Sequence, residues 1–89
     1  MLNLSAQLIV PALTNNGSAR CDLVASRIDA KEAILAAMEA LQETRPNGRD
    51  YVGHASEYDK DILIYAARFA ALDAIRNALA DEALSIHNA

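Results

Sequence analysis

Residues 56–87, SEYDKDILIYAARFAALDAIRNALADEALSIH, contain no glycine or proline. One row of residues recurs every seven positions: Tyr58, Tyr65, Leu72, Leu79 and Ile86. A neighbouring row with the same spacing is Ile62, Phe69, Arg76 and Ala83. Two adjacent rows of this kind are typical of the seam along which helices pack in coiled coils and bundles. The pattern predicts a helix over residues 57–87, and these two rows are its predicted seam. A capping-box-like SEYD sequence predicts a start near Ser56.

A second segment without glycine or proline, residues 19–44, precedes this helix. Its apolar residues fall at helical spacing: Leu23, Ala30, Ile34, Ala37 and Leu41, widened by Val24, Ile28, Leu35 and Met38. We predict a helix over 18–44, with Ser18 as its N-cap after the turn TNNGS at 14–18. A later start at Ser26 or Asp29 is the alternative. Pro46 and the Asn47–Gly48 pair end the helix.

The expected architecture is all-α: a single domain over residues 1–89, built as a long antiparallel helical hairpin with a short N-terminal apolar segment. Residues 1–17 form that segment and a turn, as a short helix or an extended strip ended by Pro11. Residues 45–56 form the hairpin tip. The chain has nineteen alanines, and those in the two helices spread small apolar surface around each of them. Two helices cannot cover so wide a surface, so we expect a homo-oligomeric helical bundle.

Composition argues against several classes of function. The net charge is −4, whereas a duplex nucleic-acid binder needs a basic stripe. No apolar run approaches membrane-spanning length, and the N-terminus does not resemble a signal peptide. The single Cys21 excludes an intramolecular disulfide. The sequence NGS at 16–18 is interpreted as a turn rather than a glycosylation site. We therefore expect a cytoplasmic protein, in the host cytoplasm if it is phage-encoded, with no membrane or duplex nucleic-acid partner.

The hairpin tip is the one positively charged stretch of an acidic chain. Residues 45–56 contain two arginines and one aspartate, whereas each predicted helix has more acidic than basic side chains. Guanidinium groups, backbone N–H groups near glycine, an aromatic face and a helix N-terminus are the components of a phosphate or nucleotide site. The candidate ligand-binding residues are Arg49, Tyr51, Arg45, His54 and Lys60. The alternative is a purely structural loop, with Arg49 and Asp50 capping helix ends and Tyr51 packed under the tip.

Other candidate sites are weaker. His54 lacks a neighbouring nucleophile or oxyanion device, so we expect no catalytic residues and no enzymatic activity. Cys21, His54 and His87 do not share a metal-binding motif, and we expect no metal or cofactor. Arg76 stands where the seam calls for an apolar residue. It would snorkel outward, pair with Asp73 one turn earlier, specify register, or project its charge into an oligomer cavity.

The turns at both ends of the first helix carry a resemblance. NNGS before the helix and RPNGRDY after it resemble a loose group of small uncharacterised phage and prophage proteins. The similarity covers roughly residues 14–58 and rests mainly on the five residues Asn47 to Tyr51. The group commonly has a second aromatic residue after this turn, where this chain has Val52.

The resemblance implies a phage-type accessory protein. Compact helical phage proteins are often inhibitors of host defence, and some sequester nucleotide signals as oligomers. The expected function is therefore non-enzymatic binding of a small phosphate-bearing, nucleotide-like ligand at the tips of an oligomer. The alternative is a protein-binding inhibitor or adaptor that acts on a host defence protein through acidic helix faces, with Glu39, Glu43, Asp81 and Glu82 as the exposed carboxylates.

Overall fold

The computed structural model describes residues 7–13 and 19–89. Within these ranges the chain forms two α-helices, α1 (Arg20–Gln42) and α2 (Ala55–His87), joined by a short 3₁₀-helix at Gly48–Tyr51, and it forms no strand. At ~1.5 Å per residue, the helices are about 35 and 50 Å long. They pack against each other as an antiparallel hairpin, with Arg27 of α1 opposite Glu82 of α2. The prediction of an all-helical hairpin is confirmed.

The helix ends differ slightly from the predicted ones. Helix α1 begins at Arg20 after Ala19, and the predicted turn at 14–18, with its Ser18 cap, lies outside the described residues. Helix α2 begins at Ala55, with His54 at the N-cap position and no capping side chain. The predicted capping box is wrong, because the Ser56 hydroxyl is already inside the first turn and donates to Glu57 Oε2 at 3.1 Å.

The seam predicted for α2 faces α1. All nine residues of its two rows are buried or partly buried, and Ile86 is the most deeply buried side chain, at 2 % exposure. The stripe predicted for α1 is partly wrong, since Ile28, Leu35 and Ala37 are exposed. The other six residues of the predicted stripe are buried or partly buried, as predicted: Leu23, Val24, Ala30, Ile34, Met38 and Leu41. Arg27 and Lys31 are partly buried as well. A two-helix contact needs only a narrow stripe, which leaves the margins of the wider apolar face uncovered.

Charged residues interrupt the seam on both helices. Arg27 Nε lies 3.4 Å from Glu82 Oε1, and the two side chains are only 16 % and 6 % exposed. The prediction of an exposed Glu82 carboxylate is wrong, because Arg27 covers this side chain from α1. Arg76 Nη2 donates to Asp73 Oδ1 at 2.9 Å, which confirms the predicted pairing one turn earlier.

The described part of the N-terminal segment, residues 7–13, forms neither helix nor strand. Gln7, Leu8 and Ile9 run beside the second half of α2 and share a groove with Ile75, Ala78, Leu79 and Glu82. Ala78 points away from the predicted seam, so its burial is explained by this segment rather than by α1. Residues 7–9 therefore lie along one side of α2 near its C-terminal end.

The hairpin is long and thin. Its extents are 64 × 27 × 17 Å, and its radius of gyration is 17.9 Å. A compact domain of this length has a radius of gyration of about 12 Å. Among the described residues, the buried apolar side chains are Met38, Ala78, Ala83 and Ile86. So small a core leaves much apolar surface on the outside.

Candidate functional site

The hairpin tip is held by hydrogen bonds within the loop. Asn47 caps the 3₁₀-helix: its side-chain Oδ1 accepts from the Arg49 backbone N–H at 3.0 Å, and its carbonyl accepts from Asp50 N–H at 2.9 Å. Gly53 has a φ of +79°, a left-handed conformation that glycine adopts without strain. The His54 N–H then donates to the Tyr51 carbonyl at 2.7 Å, which closes the turn into α2.

Arg49 is engaged by the loop itself. Besides its backbone bond, its Nε donates to Asn47 Oδ1 at 3.3 Å, and the residue is exposed. This arrangement agrees with the structural interpretation of the tip, in which Arg49 helps to hold the turn. The guanidinium remains accessible to solvent.

Tyr51 ties the tip to α2. Its hydroxyl donates to Asp61 Oδ2 at 2.7 Å, and its ring meets Tyr58 edge-on, with centroids 5.4 Å apart. The hydrogen bond to Asp61 raises the pKa of Tyr51, since ionisation would place a phenolate beside a carboxylate. The hydroxyl thus stays protonated and keeps Asp61 oriented.

A cleft of about 270 Å³ lies beside the tip, between the end of α1 and the first half of α2. We call it the tip cleft. Its lining residues are Thr44, Pro46, Tyr51, Asp61, Ile64, Tyr65 and Arg68. It combines two aromatic side chains, one carboxylate, one guanidinium and two apolar side chains. Such a set can bind a small amphipathic ligand that carries a negative charge at one end.

The structure brings only one of the five predicted ligand residues into this cleft, namely Tyr51. Arg45, Arg49, His54 and Lys60 are exposed and do not line it. His54 lies against α2, with its Nδ1 3.9 Å from Glu57 Oε2. The tip residues therefore do not converge on a single concave surface.

Three residues of the cleft were missed at the sequence level: Asp61, Tyr65 and Arg68. They are separated by four and three positions, which places them on one side of α2. That spacing is a signal in the sequence, which predicts a seam position for Tyr65 and, as a second use, exposure of its hydroxyl to a ligand between subunits. Only the folding of the Thr44–Tyr51 loop onto this side shows that the three residues share a cleft.

Two other properties bear on function. Within residues 7–13 and 19–89, no group of three or more His, Cys, Asp and Glu side chains is placed to hold a metal ion. In the same part of the chain, neither helix is both long enough and apolar enough to cross a membrane.

No protein-family model, curated protein or solved structure matches this chain.

Proposed function

We propose that the chain is a non-enzymatic accessory protein of the phage type that binds a small nucleotide-like ligand in the tip cleft. The supporting observation is the convergence of Tyr51, Tyr65, Arg68 and Asp61 on one concave surface. Sequestration of such a ligand, as an anti-defence activity in the host cytoplasm, is the biological role that we propose.

Each side chain has a role in this proposal. Arg68 offers a guanidinium fork to a phosphate. The faces of Tyr51 and Tyr65 stack against a base. Asp61 still has free lone pairs beside its bond from Tyr51, and these accept from a sugar hydroxyl or an exocyclic amine. Because Asp61 repels phosphate, the phosphate lies at the Arg68 end. The small volume favours a mononucleotide, since pockets for drug-sized ligands measure about 300–1,000 Å³.

The test is a thermal-shift assay with linear and cyclic nucleotides. A ligand at about 100 times its Kd stabilises the folded protein by about 2.7 kcal/mol. For a domain of this size, each kcal/mol raises the Tm by about 4–8 °C, so the expected rise is about 10–20 °C. Arg68→Gln should abolish the shift and leave the ligand-free Tm nearly unchanged, because Arg68 is exposed.

Arg49→Gln is the matched control, since it removes another exposed arginine that lies outside the cleft. It should retain the shift. If Arg49→Gln abolishes the shift and Arg68→Gln does not, the ligand binds at the tip residues that the sequence indicates. If no nucleotide shifts the Tm, the ligand-binding proposal fails.

A second candidate function is that of a protein-binding inhibitor or adaptor acting on a basic host protein. Four exposed carboxylates lie along the outer side of α1: Asp29, Glu32, Glu39 and Glu43. Among the residues that the structure describes, none of them forms an ion pair within 4.0 Å. This uncompensated negative stripe favours a partner of opposite charge. Asp81 is exposed as well, whereas Glu82 is not available to a partner.

The second candidate is tested by affinity capture from host extract. The bait is the wild type or the double variant Glu39→Gln, Glu43→Gln. A specific partner should be retained by the wild type, be released by moderate salt and be lost with the double variant. Equal retention by both baits would contradict a role for these carboxylates.

A further inference from the structure

One side of the hairpin exposes apolar residues of both helices, with the polar residues Gln42, Asp73 and Asn77 among them. On α1, Ile28, Leu35 and Gln42 recur every seven residues and lie on one side of the helix. On α2, a row with the same spacing consists of Leu63, Ala70, Asn77 and Leu84, all of them exposed. Gln42 shares an open groove of about 400 Å³ with Tyr65, Ala66, Phe69, Ala70 and Asp73. This groove joins the two helices into one surface, which we call the open face.

No other segment within residues 7–13 and 19–89 covers the open face. The tip cleft and residues 7–9 both lie on the opposite side of the hairpin, against Ile64, Arg68, Ile75 and Glu82. Leu63 and Leu84 are 71 % and 60 % exposed. Between them, small side chains leave room for the backbone of another helix to approach closely.

The chain exposes more surface than a compact protein of its mass, and the excess is large enough to include a dimer interface. The chain exposes 6536 Å². A compact protein of its 9.6 kDa exposes about 5,100 Å², so this chain has an excess of about 1,400 Å². A standard stable interface removes about 800 Å² from each partner. One face packed against another copy therefore accounts for a large part of the excess.

We propose that the open face binds a second copy of this chain, and that the two α2 helices lie antiparallel to each other. The centre of the row formed by residues 63, 70, 77 and 84 lies between residues 73 and 74. If two copies of α2 cross antiparallel at this point, each residue of the row lies opposite a residue of the same row in the second copy. Leu63 then meets Leu84 of the second copy, and Ala70 meets Asn77. Such self-complementarity is what a two-fold interface requires.

The α1 helix fits the same symmetry. Arg27 of α1 lies opposite Glu82 of α2. Because the helices are antiparallel, residues 35–36 of α1 lie beside residues 73–74 of α2, where the two-fold axis passes. Leu35 therefore lies beside the two-fold axis, where it fills the space above the small residues of α2. The product is a four-helix bundle with the tip clefts on its outer sides.

Charge selects the antiparallel orientation. In a parallel pair, Asp59 and Asp81 would each face the same carboxylate of the second copy, which is repulsive. Asp73 does not discriminate, because the two Asp73 side chains lie near each other in both orientations. In the antiparallel pair, Asp81 faces the region of Ala66 and Asp59 faces the region of Asn88. At the centre, each Asp73 already holds Arg76 at 2.9 Å.

Disulfide cross-linking of the full chain, with Cys21→Ser to remove the exposed native thiol, tests the orientation. A mixture of the Ala70→Cys and Asn77→Cys variants should form the mixed dimer on mild oxidation. Ala70→Cys alone should not cross-link. In the antiparallel dimer its two cysteines, one in each copy, lie about 10 Å apart along the helices, which is beyond the reach of a disulfide. Self-linking of Ala70→Cys without the mixed product would overturn the antiparallel proposal. Ala71→Cys, an exposed alanine on the other side of α2, is the control for random collision.

Sedimentation velocity at tens of micromolar tests the surface itself. The wild type should sediment at twice the mass of the 9.6 kDa chain. Leu63→Glu should reduce this to a single chain mass, whereas Val52→Glu, at an exposed position of the tip, should leave the dimer intact. A cooperatively folded wild-type monomer, or a Leu63→Glu variant that remains dimeric, would refute the proposal. Both substitutions lie outside the tip cleft, so ligand binding is judged separately.

Discussion

Replacing Arg27 with methionine would leave the Glu82 carboxylate without the guanidinium that lies 3.4 Å away. The Glu82 side chain is only 6 % exposed, so water does not replace the lost partner. Methionine keeps most of the volume of the arginine stem. The substitution therefore removes the charge with little change in packing.

The cost of this change follows from burial. Removal of one partner from a buried ion pair costs about 3–5 kcal/mol, because the remaining charge is desolvated and unpaired. Small domains unfold with a total free energy of about 5–15 kcal/mol. We expect Arg27→Met to lower the free energy of unfolding by about 3 kcal/mol, at the lower end because Arg27 retains some solvent access. That is a large share of the stability of this chain.

The measurement is urea unfolding followed by circular dichroism at 222 nm, at one protein concentration for all variants, since self-association would make stability depend on concentration. The double variant Arg27→Met, Glu82→Leu is measured for comparison, because it removes both charges of the pair. Replacing both charges with apolar side chains is often neutral or stabilising. We therefore expect the double variant to unfold within about 1 kcal/mol of the wild type, or above it.

Two results would refute this reasoning. If Arg27→Met costs less than about 1 kcal/mol, the Glu82 carboxylate is solvated and the pair behaves as a surface ion pair. If the double variant is as unstable as the single one, the lost stability comes from packing of the arginine stem rather than from the unpaired charge.

Three further predictions concern the core and the tip. The Ile86 side chain is only 2 % exposed, so Ile86→Ala should lower the free energy of unfolding by about 2–5 kcal/mol. Val52→Ala, at the exposed tip, should change it by less than about 0.5 kcal/mol. Equal effects of the two substitutions in urea unfolding would contradict the assigned core. Gly53→Ala should cost about 1–2 kcal/mol, because alanine is strained at a φ of +79°; an unchanged unfolding midpoint would argue against this turn. Since the folded-state pKa of Tyr51 is raised above 10.0 by Asp61, the stabilising bond is present below pH 10 and lost as the pH rises through the folded pKa. The Tm difference between the wild type and Tyr51→Phe should therefore shrink at alkaline pH, and a constant difference across that range would contradict this bond.

Local rules in the sequence determined most of the secondary structure. Long segments without glycine or proline form the two helices, which Pro46 and the glycine-containing tip separate. The seven-residue rows of α2 identified its buried side, because a two-helix contact repeats its geometry every two turns whatever the partner. The Arg76–Asp73 pair was also predictable, since residues three positions apart on a helix are neighbours.

The tertiary structure alone decided which residues of different segments meet. Glu82 is buried because α1 places Arg27 over it, and no local pattern carries that register. Likewise, the loop folds Tyr51 onto Asp61, whereas Arg45, Arg49, His54 and Lys60 remain outside the cleft. The physical reason is that helix periodicity depends on neighbours a few positions apart. A cleft depends on the relative placement of whole segments, which packing between them sets.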